Sequence, residues 1–290
     1  MRRSRRSTGA AKATGERFRR PRRRFGQHFL EPAWVDKVVR AIDPRAHETF
    51  IEIGPGRGAL TRPLAARAKA VLAYEIDRDL AAALRSNAPP NVSVIEGDFL
   101  DARMPEGRAS SAPTPTTNAV RVAGNLPYNV GSPILFKLVG WYRHGQPLLD
   151  ATLMLQREVA DRLTASPGTR EYGVLTVLIG RHASVERLLA LPPGAFRPAP
   201  KVQSAVVRLR FHAPDPPADD ENLLEEIVKA AFTRRRKTLA NALAAFASAP
   251  LSAAEALSRA GIDAARRPET VSFGEWVRLA DVYGSAGAVL

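Results

Sequence analysis

The chain has 290 residues, a formal net charge of +14, 45% hydrophobic residues and no cysteine. That length holds one large domain or two ordinary ones with a real core. The lack of cysteine excludes disulfides and thiolate metal sites, and with no apolar run of about 18 residues a membrane span is not expected.

The charge is unevenly placed. Residues 1–25 carry eleven Arg or Lys against one acid, Glu16, so the remainder is only mildly basic. Residues 1–24 read as a solvated tail that grips phosphate without sequence preference, and a balance this basic points to nucleic acid as partner. No apolar segment follows the charged start, as a secretory signal would require, and Gly9, Gly15 and Pro21 interrupt any transit-peptide helix. The expectation is a cytoplasmic monomer with no membrane contact.

In chain order, short apolar runs then alternate with helical stretches. "TFIEI" (49–53) reads as a strand, followed by a glycine turn and the helix "ALTRPLAARA" (59–68). "AVLAYEID" (70–77) is a second strand, with the helix "RDLAAALRSN" (78–87) after it. "VSVIEGD" (92–98), "AVRVAGN" (119–125) and "ATLMLQ" (151–156) follow as strands, the last leading into the helix "REVADRLTA" (157–165). Strands interleaved with helices predict an α/β fold, a mostly parallel Rossmann-like sheet covered on both faces. "YGVLTVLIGRHA" (172–183) reads as a helix. "SVERLLALP" (184–192) and "SAVVRLRF" (204–211) predict an antiparallel hairpin at the sheet's edge. Residues 25–211 would form this domain. The Pro- and acid-rich stretch 212–222 reads as a linker, and 223–290 as a small all-helical domain. The segment from 104 to 118 is low in complexity and reads as a surface loop.

In an open parallel sheet, ligands bind at the carboxyl ends of the strands. Here the first strand ends in Gly54, Gly56 and Gly58, the second in Glu75 and Asp77, the third in Asp98 and the fourth in Asn125. Glycines let backbone approach a ligand closely. Glu75 follows Gly54 at a spacing that suits a carboxylate accepting from a ribose diol. The turn is G-x-G-x-G with Pro55 inside it, not the dinucleotide G-x-G-x-x-G, and Asp98 is placed to accept from an adenine amino group. The set suits S-adenosyl-L-methionine better than NAD. Each residue alone reads equally well as a tight turn or a loop cap.

"GNLPYN" (124–129) adds a chemistry to the nucleoside pocket. An exocyclic adenine nitrogen is a weak nucleophile, and two acceptors, Asn125 Oδ1 and the Leu126 carbonyl, can hold both its hydrogens. They aim its lone pair and stabilise the positive charge that develops on it. Pro127 biases Leu126 toward an extended conformation. Tyr128 can stack on an extruded base, worth about 1–3 kcal/mol. The competing reading is a proline turn with a core tyrosine.

Together, "FGQHFL", "EIGPGRGALT", "YEIDRDL", "GDFL", "GNLPYN", "MLQREVADRL", "PPGAFRPAPKVQSAVVRL" and "FTRRRKTLANAL" resemble the rRNA adenine N6,N6-dimethyltransferase family, and within it the small-subunit branch. The resemblance covers Phe25 to about residue 280. It implies a Rossmann-like methyltransferase sheet, a helical C-terminal domain and a donor, S-adenosyl-L-methionine. It implies transfer to N6 of two adjacent adenosines in the 3′-terminal hairpin loop of 16S rRNA, in late small-subunit biogenesis. Carried over by position, the donor would be held by Gln27, His28, Leu30, Gly54, Gly56, Glu75, Ile76, Asp98, Phe99 and Asn125. Asn125, Leu126, Pro127 and Tyr128 would form the catalytic motif, with Phe196 against the other face of the target base. His28 departs from the family, which more often has Asn there. Arg22, Arg23, Arg24 and Lys201 would meet RNA, as would Arg234, Arg235, Arg236 and Lys237, read as a basic run on a helix. No metal is expected, since His182 and His212 lack ligand-like partners. Trp34, Trp141 and Trp276 read as core. The competing functions are a 23S rRNA methyltransferase conferring macrolide resistance and a ribosome-assembly or mitochondrial transcription factor that keeps the fold without catalysis.

Overall fold

The computed structural model describes residues 28–103, 119–244, 246 and 251–287. Gln27, Arg22, Arg23, Arg24, the rest of the basic tail and the 104–118 segment lie outside the described residues.

A seven-stranded sheet organises the chain. Its members are β2 (Thr49–Ile53), β3 (Ala70–Glu75), β4 (Val92–Glu96), β5 (Val120–Asn125), β6 (Leu148–Gln156), β7 (Ala183–Leu191) and β9 (Ser204–Phe211). They lie side by side in the order β4-β3-β2-β5-β6-β9-β7. The first five are parallel, and β9 runs antiparallel to both β6 and β7. The expected hairpin is present, with its antiparallel member one place in from the edge and β7 outermost. A separate two-stranded piece pairs β1 (Phe29–Leu30) with β8 (Phe196–Arg197), which the sequence pattern did not reveal.

Helices α1 (Pro32–Ile42), α2 (Thr61–Ala65), α3 (Arg78–Ser86), α4 (Gly131–Arg143), α5 (Arg157–Leu163) and α6 (Val174–Gly180) lie among the strands. Where α3 starts is decided locally: the Asp77 carboxylate accepts from the backbone N–H groups of Asp79 and Leu80. Two apolar clusters include residues on either side of the sheet. Ile51, Val122, Leu153 and Val207 pack with Leu135 and Leu138 of α4, and Phe50, Val71, Met154 and Val206 with Val38, Val39 and Ile42 of α1. At the amino end of β5, Arg121 ties these layers together. Its guanidinium donates to both oxygens of Asp150 (2.8 Å each), to Glu48 (2.8 Å) and to the carbonyls of Ile42 and Asp43, which close α1.

After β9 come α7 (Glu221–Thr233), α8 (Leu239–Leu243), α9 (Ala253–Arg259) and α10 (Phe273–Gly287). Asp220 caps α7 and Ser252 caps α9 through a reciprocal box with Glu255. The core under these helices also takes residues from before β7. Tyr172, Val177 and Leu178 are buried with Leu224, Ile227, Leu257 and Trp276, whereas Leu175 and Ile179 of the same α6 face the sheet cluster. Trp276 is fully buried, and Trp34 and Trp141 pack partly buried against the sheet clusters. The run Arg234–Arg235–Arg236–Lys237 does not lie on a helix as expected. It forms the turn after α7, where the Lys237 N–H donates to the Arg234 carbonyl. No helix among the described residues is long and apolar enough to cross a membrane.

Candidate functional site

The chain enters the sheet at an inner strand, β2, works outward to β4, then returns to β5 on the other side. Adjacent loops therefore diverge between the carboxyl ends of β2 and β5, and a crevice opens at that switch point. The crevice is open at its mouth: about 730 Å³ of free space lies within it and before it, of which about 80 Å³ is enclosed enough to seat water-sized groups. Its walls include His28, Gly54, Gly56, Glu75, Ile76, Asn125 and Tyr128, brought together from four separate segments.

Glu75 ends β3 almost fully buried. Its two carboxylate oxygens accept from the N–H groups of Gly56 and Asp77, each at 2.9 Å. Burial pushes its pKa up and these N–H groups pull it back. The two bonds fix the carboxylate's plane while each oxygen keeps a lone pair for a further donor, as holding a diol requires. Gly56 has φ +58°, and a Cβ there would lie 3.1 Å from the Phe29 ring, so the turn leaves no room for a side chain. Next to Glu75, Ile76 is 43% exposed, an apolar surface available to a flat ring.

Asn125 ends β5. Its amide nitrogen donates to the His28 carbonyl at 2.7 Å, which orients the group and leaves Oδ1 as an acceptor. The Leu126 N–H is taken by the Met154 carbonyl at 3.2 Å. The Val130 N–H donates to the Pro127 carbonyl, closing a turn that carries Tyr128 and Asn129. The Tyr128 hydroxyl bonds Ser204 Oγ at 2.7 Å, and one face of its ring is covered by His28, with centroids 5.2 Å apart and planes 26° off parallel.

Other residues singled out from the sequence fall outside the crevice. Asp77 is a helix cap. Asp98 likewise commits Oδ1 to the Leu100 N–H and is not among the residues lining the crevice. The Phe99 ring is core, edge-on to Tyr74 and Trp141. Phe196 is a correction: it was expected to present its ring to a base, yet it is 1% exposed, with β8 paired to β1 and its ring packed beside Leu30 and Ala195. Lys201, Arg234, Arg236 and Lys237 are exposed, whereas Arg235 is half-buried and donates to the Arg170 carbonyl. His182 lies beside Glu221 at 3.6 Å, and no group of three or more potential metal ligands occurs among the described residues.

Two residues of the site escaped the sequence reading. Glu52 lines the crevice at 1% exposure with its Oε2 lacking a hydrogen-bond partner, and burial pushes its pKa up to about 8. The available signal was a lone acid inside the apolar strand "TFIEI". Gly124 precedes Asn125, and a Cβ there would lie 2.5 Å from the Ile53 carbonyl oxygen, so β2 and β5 can approach only with glycine at this point.

A doubly wound sheet closed by an antiparallel hairpin, with a buried carboxylate at its switch point beside an amide acceptor, defines an α/β enzyme of the Rossmann-like methyltransferase class. A sequence profile described as ribosomal RNA adenine dimethylase matches residues 18–284. The chain belongs to that family and is a methyltransferase. Relatives named ribosomal RNA small subunit methyltransferase A include one from Alcanivorax borkumensis, 43% identical over 268 residues and covering 91% of this chain and 90% of that protein. Another, from Laribacter hongkongensis, is also 43% identical and covers 92% of this chain and 97% of that one. Among solved structures, a dimethyladenosine transferase from Plasmodium falciparum shares the fold at a TM-score of 0.74 and 23% identity, covering 90% of this chain and 98% of that one. The 23S rRNA methyltransferase ErmE aligns at a TM-score of 0.62 and 29% identity over 88% and 99% of the two chains.

Proposed function

We propose that this chain uses S-adenosyl-L-methionine to dimethylate N6 of two adjacent adenosines in the 3′-terminal hairpin loop of 16S rRNA during late small-subunit biogenesis. The observation that carries the reading is the orientation of Asn125: with its amide nitrogen bound to the His28 carbonyl, the side chain meets the crevice as an acceptor. The higher identity to the small-subunit enzymes than to ErmE supports 16S over 23S rRNA as substrate.

The crevice fits the donor. Glu75 would accept from its ribose hydroxyls, Gly54 and Gly56 would admit it along bare backbone, Ile76 would face its adenine, and the backbone of His28 with Leu30 would close the opposite wall. Asp98 and the Phe99 backbone would reach the adenine edge from the next strand end. Bound there, the donor supplies an electrophilic methyl group on a sulfonium.

Asn125 Oδ1 and the Leu126 carbonyl accept the two N6 hydrogens of the target base and so direct its nitrogen. As the nitrogen takes its fourth bond it turns cationic, and the same two oxygens stabilise that charge. The product ammonium is acidic and releases its proton without a dedicated base. Tyr128 holds the base by its ring. Exposed Lys201, Arg234, Arg236 and Lys237 would meet phosphates, with Arg22, Arg23 and Arg24 of the tail adding charge. We read the enzyme as a cytoplasmic monomer, its C-terminal helices contributing RNA contacts.

The test is methyl transfer from labelled donor to unmodified small subunits and, separately, to unmodified large subunits, with the products mapped by mass spectrometry. Four methyls on two adjacent adenosines support the reading. Label confined to large-subunit RNA, or none, refutes it.

A further inference from the structure

The interactions of residue 28 converge on the catalytic motif. Its carbonyl accepts from Asn125 Nδ2 at 2.7 Å. Its imidazole stacks on Tyr128 with centroids 5.2 Å apart. Its Nδ1 lies 2.7 Å from the Pro198 carbonyl, and since a carbonyl can only accept, Nδ1 carries the proton of that bond. The ring is therefore anchored at its far side and has little freedom to swing out. Tyr128 is in turn fixed at its hydroxyl by Ser204.

We propose that His28 is a positioning residue for the transfer: its ring is a back plate that sets the plane of Tyr128, so that an incoming adenine completes a three-layer stack of imidazole, phenol and purine. This rests on the assignment of Asn125–Tyr128 as the catalytic motif. It differs from a role in gripping the donor, because the ring's own interactions run to Tyr128 and Pro198. An unbacked tyrosine would sample several orientations, and the base stacked on it would share that freedom, lowering the fraction of encounters in which N6 is aimed. The backbone bond to Asn125 survives any substitution at position 28, so only the ring's contribution changes.

Three variants separate the possibilities: His28→Asn keeps a polar group but no plate, His28→Leu keeps bulk without a ring, and His28→Phe keeps a plate without the Pro198 bond. At saturating donor, kcat should fall about 3- to 10-fold in the Asn and Leu variants, the scale of one missing aromatic pair, and recover to within about threefold of wild type in Phe. The donor's dissociation constant, measured by calorimetry without RNA, should stay within about twofold in all three, a split that a general loss of structure would not produce. Wild-type kcat in both the Asn and Leu variants overturns the proposal. So does a Phe variant as slow as they are, or a loss of donor affinity with kcat preserved. Asn125→Ala is run beside them: if it still transfers methyl groups, the catalytic assignment itself has failed, whatever position 28 does.

Discussion

Glu52 is an acid placed where an acid is costly. Sealed in β2 and near Glu75, it carries a pKa pushed up to about 8, first by burial and then, more weakly, by the neighbouring carboxylate. In the unfolded chain it would ionise near 4.5. Between those values the folded protein holds a proton that the unfolded chain has lost, so folding stability falls as pH rises from about 4.5 to about 8. The slope reaches up to about 1.4 kcal/mol per pH unit for one such group. Glu52→Gln should flatten that part of the curve, read from urea titrations across the range; an unchanged slope would place the proton elsewhere. At Asn125 the expectation concerns chemistry instead of stability. On the proposed mechanism, Asn125→Ala deletes one of two acceptors aimed at a developing cation, a loss on the scale of the roughly 10²–10³ in rate that removing one charge-stabilising hydrogen-bond partner costs at other sites. RNA affinity should hold while turnover drops by at least that factor, and turnover near wild type would remove Asn125 from the mechanism.

At the scale of elements, the sheet's amino end is tied to α1 by two arginines, Arg121 and Arg208. Arg121 on β5 joins β6 through Asp150 and collects the carbonyls that end α1. Asp150 is almost fully buried, and apart from Arg121 its nearest cation is Arg208 at 3.6 Å. Arg121→Met would leave that carboxylate poorly compensated and strip the Asp43 carbonyl of its donor, while Ile42 keeps its bond from Arg208, a change that typically costs about 3–5 kcal/mol. Chemical denaturation should show it, and Asp150→Leu added to Arg121→Met should restore part of the loss. A single mutant as stable as the parent would mean the pair is dispensable. The network lies at the opposite end of β5 from Asn125, so donor binding in the folded fraction should be unaffected.

Across the whole molecule, α6 is shared between two cores. Leu175 and Ile179 pack toward the sheet, Val177 and Leu178 toward the C-terminal helices. Arg181, just past its end, grips Glu221 at the start of α7. Burial alone would raise Glu221, but the neighbouring His182 and the hydrogen-bonded Arg181 guanidinium hold it down at about 2, so this ion pair persists through ordinary pH. The basic C-terminal turn is thereby carried on a body continuous with the crevice. The tail adds charge of a different kind, concentrated in the first 25 residues. Deleting residues 1–20 should weaken RNA binding and lower the salt dependence, by about 0.7–0.9 in the log–log slope for each phosphate that the tail neutralises. An unchanged slope would show that the tail neutralises none.

What the sequence determined by itself was whatever depends on near neighbours in the chain. Short apolar runs marked the seven main strands, glycine, acid and amide positions marked the carboxyl ends of the first four, and "GNLPYN" marked the acceptors beside an aromatic ring. The helix α4 went unmarked, since Gly131, Pro133 and Gly140 blur its periodicity and only packing on β5 and β6 makes it worth forming. The tertiary structure alone decided what distance along the chain conceals. Phe196 is core because β8 pairs with β1 from 166 residues away. His28 stacks on Tyr128 because the segment before β1 lies against the end of β5, where its carbonyl accepts from Asn125. Glu52 is costly only because the sheet closes over it, and Asp77 turned out to cap a helix. Pattern reports which face a residue prefers; burial, orphaned polar atoms and shared ring faces arise only when strands far apart in sequence are placed edge to edge.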